Sequence, residues 1–444
     1  MTSPTHSTKV ARLVAADGAM TYAKALSLAK QARADGLLPE IMDADGIAVS
    51  VDIIKSIDRR ALTTLPPPSV PTYPLLCSTQ DLRGHAAIIG STPADRTTLA
   101  AQLVTQMLAQ GMPGVVLDLS GFRRDFLKSL STYGTDLGFG YNQVSDDGLG
   151  NRWINPLEGI GPDEATDLIL SVYRPDDEYW RALNERVARA LVNLCYKAHE
   201  LSPAGEAPYP TLGAIGLILE GDLELTTKKL RGLITEDKEL YQVLVTHNSD
   251  IAKSAKALGA KLMALLTRTS ASSVLTPRAE PPAGTQSRGL TYVGVDYARQ
   301  SEVATLVATG LLTRVNTELS ANDAADERFL VILDSVFAPT NIVTQIVERA
   351  KSHGLRVILT ADPRHLHYPA SDSLLSGLNV TMVLKSTNAK PLDASKIDLD
   401  ALSAAAATGE SNVTQDIVRS LDDNQVLVHV KSLPGNTDFV EFYR

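Results

Sequence analysis

The stretch GSTPADRTT, residues 90–98, has several residue types of a loop that binds phosphate groups. Such a loop has the form G-x-x-x-x-G-K-[ST] between a buried strand and a helix: glycines let backbone amides surround the phosphates, Lys neutralises their charge and the hydroxyl binds Mg²⁺. Gly90 and Thr97 supply the first glycine and the hydroxyl. Asp95, however, stands at the second glycine and Arg96 at the Lys. These residues indicate either a structural turn or a nucleotide site in which phosphate binding is weak or lost.

Other residues of the loop also weaken phosphate binding. Pro93 removes one amide donor, and the carboxylate of Asp95 repels a polyphosphate unless it turns outward as a helix cap. Arg96 can still pair with phosphate, although its longer planar head does not fit the usual geometry of Lys. The candidate nucleotide contacts in this loop are Gly90, Ser91, Thr92, Arg96, Thr97 and Thr98. Taken alone, the pattern favours an ordinary structural turn over a ligand site.

A second element favours a nucleotide site. The stretch RFLVILDSVFAP, residues 328–339, is an apolar strand that ends in Asp334, the position of an acid that helps to hold Mg²⁺ in such folds. The metal ligands would therefore be Thr97 and Asp334, provided that nucleotide binds. The next residue should be a Glu that polarises the attacking water, but it is Ser335, whose hydroxyl is not a base at its ordinary pKa. We therefore expect hydrolysis to be weak or lost.

The elements around these residues predict an α/β fold. An apolar run HAAIIG, a helix from Thr97 to Gln110 and a second apolar run GVVLDLSG form a β-α-β unit, which implies parallel strands. The predicted strands include residues near 86–89, 114–117, 329–333 and 356–360. The segments QVLVHV and DFVEFY flank a Pro-Gly turn, which predicts a C-terminal β-hairpin.

The domain organisation follows from changes of pattern along the chain. Helical spacing in residues 19–38 ends before the proline-rich stretch TTLPPPSVPTYP, which favours extended geometry and marks a boundary. The predicted parts are an N-terminal helical module, residues 1–65; the first part of an α/β domain, 66–161; an all-helical lobe, 162–275; and the second part of the α/β domain with the hairpin, 276–444.

Composition and charge limit the function classes. The chain has 444 residues, of which 44% are hydrophobic and 21% charged, as is typical of soluble globular proteins. No apolar run reaches the length of a membrane span, no secretory signal is evident and the two cysteines have no metal-ligand spacing. We therefore expect a cytoplasmic protein with reduced thiols.

The formal net charge of −9 argues against a protein that binds nucleic acid over its whole surface. A local basic groove stays open, because Lys and Arg outnumber Asp and Glu between residues 226 and 278. A solvated helix surface is the favoured interpretation of this stretch. The candidate DNA contacts within it are Lys228, Lys229 and Arg231.

Two further pairs of residues could bind a metal ion or a nucleic acid. His365 and His367 could form part of a metal site, although a surface turn after Pro363 explains them better. Tyr179 and Trp180 could stack on the bases of a single strand, although packing in a helical core is favoured.

The order of these parts resembles the coupling-protein branch of the FtsK/HerA-type motor ATPases, the TraG/TraD-like proteins of type IV secretion and conjugation. GSTPADRTT matches the phosphate loop of that family, and VVLDLSG matches a strand that ends in D-x-K-G, with Asp118 and Gly121 kept and Ser120 at the Lys. Asp118 is either a residual acid of the magnesium site or an ordinary helix cap. INPLEGI matches an Asn-Pro-Leu step, and DDEYWRALNERVARAL matches a helical segment with an aromatic pair.

The downstream motifs extend the resemblance. DSVFAPT takes the place of the family motif D-E-F-x-x-L-G. The most specific match is SHGLRVILTADPRHL, for which the family has SRGLRVVLALQSLSQL. In it Asp362 replaces the Gln that senses the γ-phosphate. The resemblance covers about residues 75–444, and Lys, catalytic Glu and sensing Gln are all replaced, at Arg96, Ser335 and Asp362.

The resemblance implies a RecA-like P-loop domain with ATP and Mg²⁺ as cofactors, bound weakly or not at all. It also implies an oligomer, a hexamer in this family, of copies of the chain or of the chain beside active motor subunits. The expected function is that of a pseudo-ATPase subunit of a DNA or protein transfer system, located in the cytoplasm or peripherally at a membrane complex and without a membrane span of its own. Expected partners are secretion or conjugation components and DNA. Two alternatives stay open: a non-enzymatic adaptor that keeps the P-loop domain as a scaffold, and an active DNA-translocating ATPase with unorthodox site residues.

Overall fold

The computed structural model describes residues 47–50, 75–77, 85–134, 141–148, 150–201, 209–221, 249–278, 283, 289–321, 327–350, 352–363, 378–385, 425–430 and 437–441. The helix predicted in residues 19–38, the pair His365 and His367, and the candidate DNA contacts Lys228, Lys229 and Arg231 lie outside these ranges. The chain divides into two compact units. The first comprises Met1–Gly140, Arg288–Leu290 and Ala324–Arg444, and the second comprises Tyr141–Ser287 and Thr291–Asp323.

In chain order, the described strands are β1 (Ile47–Ser50), β2 (Leu75–Cys77), β3 (Ala86–Ile89), β4 (Gly114–Asp118), β5 (Tyr141–Ser145), β6 (Leu290–Gly294), β7 (Arg328–Leu333), β8 (Leu355–Ala361), β9 (Val380–Leu384), β10 (Gln425–Val430) and β11 (Thr437–Glu441). The described helices are α1 (Pro93–Ala109), α2 (Arg123–Gly134), α3 (Pro162–Val172), α4 (Glu178–Glu200), α5 (Leu212–Glu220), α6 (Ser249–Leu266), α7 (Thr269–Leu275), α8 (Ser301–Ala321) and α9 (Thr340–Ala350). A short 3-10 turn, Ser335–Phe337, follows β7.

The first unit is built on a sheet with a parallel centre. Its strands lie in the order β9-β3-β8-β7-β4, and each is parallel to its neighbour. β3, β4 and β8 are buried along their whole length, as expected of strands covered on both faces. The predicted parallel α/β sheet is confirmed.

The C-terminal strands extend this sheet in the opposite direction. β10 pairs antiparallel with β9 on one side and with β11 on the other, so that Leu427 lies opposite Phe439. The predicted C-terminal β-hairpin is confirmed. It adds two strands beside β9, which itself lies next to β3.

Helix α1 begins earlier than the sequence predicts. The predicted start is Thr97, whereas the helix starts at Pro93, with Thr92 as the extended residue before it. Proline is favoured in the first helical turn because its missing amide hydrogen has no partner there and its φ angle already suits a helix. Asp95, in the same turn, interacts favourably with the positive end of the helix dipole. Residues 93–96 are therefore helix and not loop.

The pair β1 and β2 departs from the prediction for residues 47–50. Residues 47–50, within the module predicted as helical, form a strand that pairs antiparallel with β2. Strands of three or four residues are too short for an alternating pattern of side chains to be recognised, so their pairing is not visible in the sequence.

The second unit is mainly helical. Every element described between residues 162 and 275 is a helix, namely α3, α4, α5, α6 and α7. This unit also contains α8, which the sequence analysis does not predict. Among the described helices, none combines the length and the apolar composition that a membrane span requires.

Candidate functional site

The candidate site lies at the edge of the first unit where the parallel strands end. Gly90 directly follows β3, and its amide donates to the carbonyl oxygen of Ala361 at the end of β8, 3.2 Å away. Asp334 directly follows β7, and Arg96 lies in the first turns of α1. Because the carboxyl ends of parallel strands meet at one edge, these three residues come together although Asp334 is 238 residues from Arg96 along the chain.

Arg96 forms a buried ion pair at this edge. One terminal nitrogen, Nη1, donates to the carbonyl oxygen of Gly90, and the other, Nη2, donates to Oδ1 of Asp334. The side chains of Arg96 and Asp334 are only 2% and 12% exposed. The residue at the Lys position and the acid at the metal position therefore neutralise each other.

Hydrogen bonds to Thr360 hold the chain at Asp334 and Ser335 in place. Asp334 has a left-handed conformation, with φ 54°, which Asp tolerates better than most residues. Its amide donates to Oγ1 of Thr360, at 2.8 Å, and the hydroxyl of Ser335 donates to the carbonyl oxygen of Thr360, at 3.1 Å. Ser335 therefore has a structural hydrogen bond in place of the catalytic carboxylate that its position would require.

The loop between β3 and α1 is too short to surround phosphate groups. Only Gly90, Ser91 and Thr92 lie between the two elements, since Pro93 is already helical. A Cβ atom at Gly90 would lie 2.8 Å from Cβ of Leu384, so the glycine is needed for close packing against β9. The hydroxyl of Ser91 donates to the carbonyl oxygen of Lys385, at 3.2 Å.

The other predicted contacts lie within α1. Thr97 is buried in the helix, and Oγ1 of Thr98 accepts a hydrogen bond from Ser129 at 3.4 Å. For magnesium, the second predicted ligand is Asp334, whose Oδ1 pairs with Arg96. Across the described residues, no group of three or more His, Cys, Asp and Glu side chains could hold a metal ion.

The residues present do not fit a nucleotide with its magnesium ion. Phosphate groups need free amide donors in a wide loop and an available cation, and the metal needs an available acid. Here the cation and the acid are paired, and the loop is closed by the first turn of α1. The role of these residues as nucleotide ligands stays a prediction that their arrangement opposes.

Two more acids lie at the same edge. Asp118 ends β4, and its Oδ1 accepts hydrogen bonds from the amide of Ser120, at 2.9 Å, and from its hydroxyl, at 2.5 Å. The amide of Phe122 in turn donates to the hydroxyl of Ser120, at 3.1 Å, so Asp118 orders the turn after β4. Asp362 directly follows β8 and is buried.

The aromatic pair of the second unit is exposed in part, contrary to the favoured interpretation. The rings of Tyr179 and Trp180 meet edge to face, with centroids 5.6 Å apart, but the residue Tyr179 is 54% exposed. Its hydroxyl donates to Oδ2 of Asp250 at 3.1 Å, and this hydrogen bond raises the pKa of Tyr179. Both residues lie in the first turn of α4, where a side chain can remain outside the core.

The Asn-Pro-Leu step is a structural turn of the second unit. Nδ2 of Asn155 donates to the carbonyl oxygen of Pro210, at 3.1 Å, and Oδ1 accepts from the amide of Leu157, at 3.2 Å. The hydroxyl of Tyr196 donates to the carbonyl oxygen of Leu157 at 2.5 Å. A Cβ atom at Gly310 would lie 2.4 Å from the carbonyl oxygen of Pro156, so α8 packs directly on this turn.

Comparison with known proteins gives the fold. No protein-family model matches the sequence, and no curated protein is similar to it. The bacterial conjugative coupling protein TrwBdeltaN70 aligns with a TM-score of 0.52 and 15% identity over 90% of this chain and 92% of that chain. The chain has the coupling-protein fold. VirB4 of Thermoanaerobacter pseudethanolicus aligns with a TM-score of 0.52 and 14% identity over 81% of this chain and 89% of that chain.

TrwB in complex with a non-hydrolysable ATP analogue is also similar, with a TM-score of 0.51, 15% identity and coverage of 90% of this chain and 93% of that chain. The coupling-protein fold confirms the RecA-like architecture that the sequence resemblance implies. In this chain the fold carries an ion pair at the edge where its parallel strands end. This pair was not predicted from the sequence, although an Arg after one strand and an acid after another in the same parallel sheet could have indicated it.

Proposed function

We propose that the chain is a coupling-protein-like, non-hydrolysing subunit of a DNA or protein transfer system of the conjugation or type IV secretion kind. The observation that carries this proposal is the buried ion pair between Arg96 and Asp334. The coupling-protein fold supports the kind of system, and the ion pair supports the absence of turnover.

Hydrolysis of ATP needs a phosphate cradle, a metal ion and a group that orients the attacking water. Residues that would form the loop around the phosphates belong to the first turn of α1. The carboxylate predicted to bind the metal, that of Asp334, is paired with Arg96. Ser335 has its hydroxyl on the backbone of Thr360. Each of these changes opposes catalysis independently, so we propose that ATP and Mg²⁺ are bound weakly or not at all.

The proposed role is therefore that of a scaffold within an assembly. We propose partners of three kinds: further copies of the chain or active motor subunits, components of a secretion or conjugation system, and DNA. We also propose a location in the cytoplasm, peripheral to a membrane complex, and the division into residues 1–65, 66–161, 162–275 and 276–444. The proposed partners and location rest on the resemblance of the motifs and of the fold, and the proposed division rests on the changes of pattern along the chain.

The test is the hydrolysis and binding of MgATP by the purified full chain. We expect no phosphate release above that of the Asp334→Asn variant, and no saturable binding of a fluorescent ATP analogue at micromolar concentrations. Turnover that is lost on Thr97→Ala and on Asp334→Ala would contradict the proposal and favour an active motor. Size-exclusion chromatography of the same sample, alone and with candidate motor subunits, tests the assembly.

A further inference from the structure

The side chain of Arg96 joins three elements of the first unit. Its terminal nitrogens donate to two different acceptors, the carbonyl oxygen of Gly90 after β3 and the carboxylate of Asp334 after β7. The guanidinium itself extends from α1 and is 2% exposed. A single buried cation therefore connects β3, α1 and the turn after β7.

The buried carboxylate of Asp334 needs the charge of Arg96 for its stability. Its carboxylate is 12% exposed, and a carboxylate that is removed from water is strongly unfavourable without a counter-charge. Its backbone is held close to Arg96, because its amide donates to Oγ1 of Thr360. The structure thus keeps a negative charge at the place that Arg96 neutralises.

The two acceptors suit Arg better than Lys. A guanidinium carries several N–H donors spread over a fixed plane, so its two ends can reach acceptors that lie apart, whereas an ammonium carries its three donors on one nitrogen. Gly90 and Asp334 are contacted through Nη1 and Nη2 respectively, so both ends of the plane are used. Arg96 is therefore suited to a different task from that of the Lys whose position it takes.

We infer that this edge of the sheet is a guanidinium-binding site whose ligand, Arg96, belongs to the chain and takes the place that a nucleotide with its metal would need. The inference rests on the proposed function, because it explains how the same site stays ordered without a nucleotide. Removal of the Arg96 side chain alone leaves the two acceptors in place. Free guanidinium can then bind between them and restore the lost contacts.

The experiment is a chemical rescue of the full chain. The thermal unfolding midpoint of the wild type, of Arg96→Ala and of the double variant Arg96→Ala with Asp334→Asn is measured in low millimolar guanidinium chloride, with NaCl at equal ionic strength as the reference. We expect the midpoint of Arg96→Ala to rise and to saturate, as for a ligand that binds the folded state. The wild type and the double variant should show no rise, because guanidinium without a specific site only favours unfolding.

A second measurement tests the inference if Arg96→Ala cannot be purified in its folded form. The variant is then refolded from urea, with and without guanidinium, and the yield of folded protein should increase with guanidinium for Arg96→Ala but not for the double variant. A saturable rise in neither the midpoint nor the yield would overturn the inference. An equal rise in the double variant would overturn it too, since the carboxylate of Asp334 would not be the acceptor.

The assay of ATP hydrolysis on the wild type separates this inference from the proposed function. Turnover by the wild type would overturn the proposed function whatever the outcome of the rescue. Absence of rescue together with absence of turnover would overturn the role of Arg96 as an internal ligand. In that case the proposed function would still stand on the shortened loop between β3 and α1 and on Ser335.

Discussion

At the scale of single residues, the exchange of Lys for Arg changes what the position does. The lysine of a phosphate loop presents its charge to a phosphate, whereas Arg96 presents its charge to Asp334 within the same chain. Buried ion pairs contribute little net stability, but the loss of one partner leaves the other charge buried and uncompensated. The consequence for stability is therefore strongly non-additive.

We predict that Arg96→Met and Asp334→Asn each lower the free energy of unfolding by about 3–5 kcal/mol, whereas the combined variant loses clearly less than the sum. Urea denaturation followed by circular dichroism measures all three values. Arg189→Met is the matched control, because Arg189 pairs with Glu185 on the exposed side of α4. Such an exposed pair contributes about 0–1 kcal/mol. Strict additivity of the two single changes would show that the buried pair is not coupled.

At the scale of elements, the start of α1 decides what the loop can bind. Pro93 and Asp95 both favour a helix N-terminus, and the helix therefore begins before Arg96. The same residues would have formed the phosphate cradle in a longer loop. This local preference for helix opposes a phosphate site and leaves the β-α-β unit intact, which is the basis of the next prediction.

We predict that the combined change Pro93→Gly, Asp95→Gly and Arg96→Lys creates detectable nucleotide binding, because it restores loop flexibility, amide donors and a point charge. Arg96→Lys alone should improve binding little, since the helical turn remains. Fluorescence titration with a labelled ATP analogue measures both variants. Turnover should still require Ser335→Glu, because the residue at the position of the water-orienting Glu is a serine whose hydroxyl is bonded to the backbone of Thr360. Binding by Arg96→Lys equal to that of the triple change would show that the helix start is unimportant.

At the scale of the whole molecule, the two units differ in what they offer to a partner. In the first unit, the buried ion pair between Arg96 and Asp334 lies at the edge where the parallel strands end. The second exposes lysines on α6, including Lys253, Lys256 and Lys261, within the basic stretch that the sequence analysis singles out. The predicted DNA contacts at 228, 229 and 231 belong to the same stretch but lie outside the described residues.

We predict that any DNA binding weakens steeply with salt and is abolished when Lys228, Lys229 and Arg231 are changed together to Glu. Each neutralised phosphate contributes about −0.9 to the slope of log K against log salt for duplex DNA. Fluorescence anisotropy over a series of salt concentrations measures the slope. The matched control changes Arg174, Arg186 and Arg189, all exposed, to Glu and so alters the net charge equally. Salt-insensitive binding, or no binding at low salt, would favour the adaptor role.

Much of the fold could be predicted because its signals are local. The buried strands of the sheet are continuous apolar runs, and the segments β3, α1 and β4 follow one another as a compact β-α-β unit. The pairing of β1 with β2 could not be predicted, because strands of three and four residues carry no usable periodicity. Helix α8 was not predicted for a different reason: its buried residues surround much of the helix, so it lacks a clear polar side.

The sequence by itself determined the parallel α/β architecture and the identities of Arg96, Ser335 and Asp362, because residue identity and strand order are properties of the chain. Only the tertiary structure decided that Arg96 turns toward Asp334, from which it is separated by 238 residues. It also decided that Gly90 serves packing against Leu384. The physical reason is that the ends of distant strands lie at one edge of a parallel sheet. A carboxylate buried at that edge is stable only beside a cation.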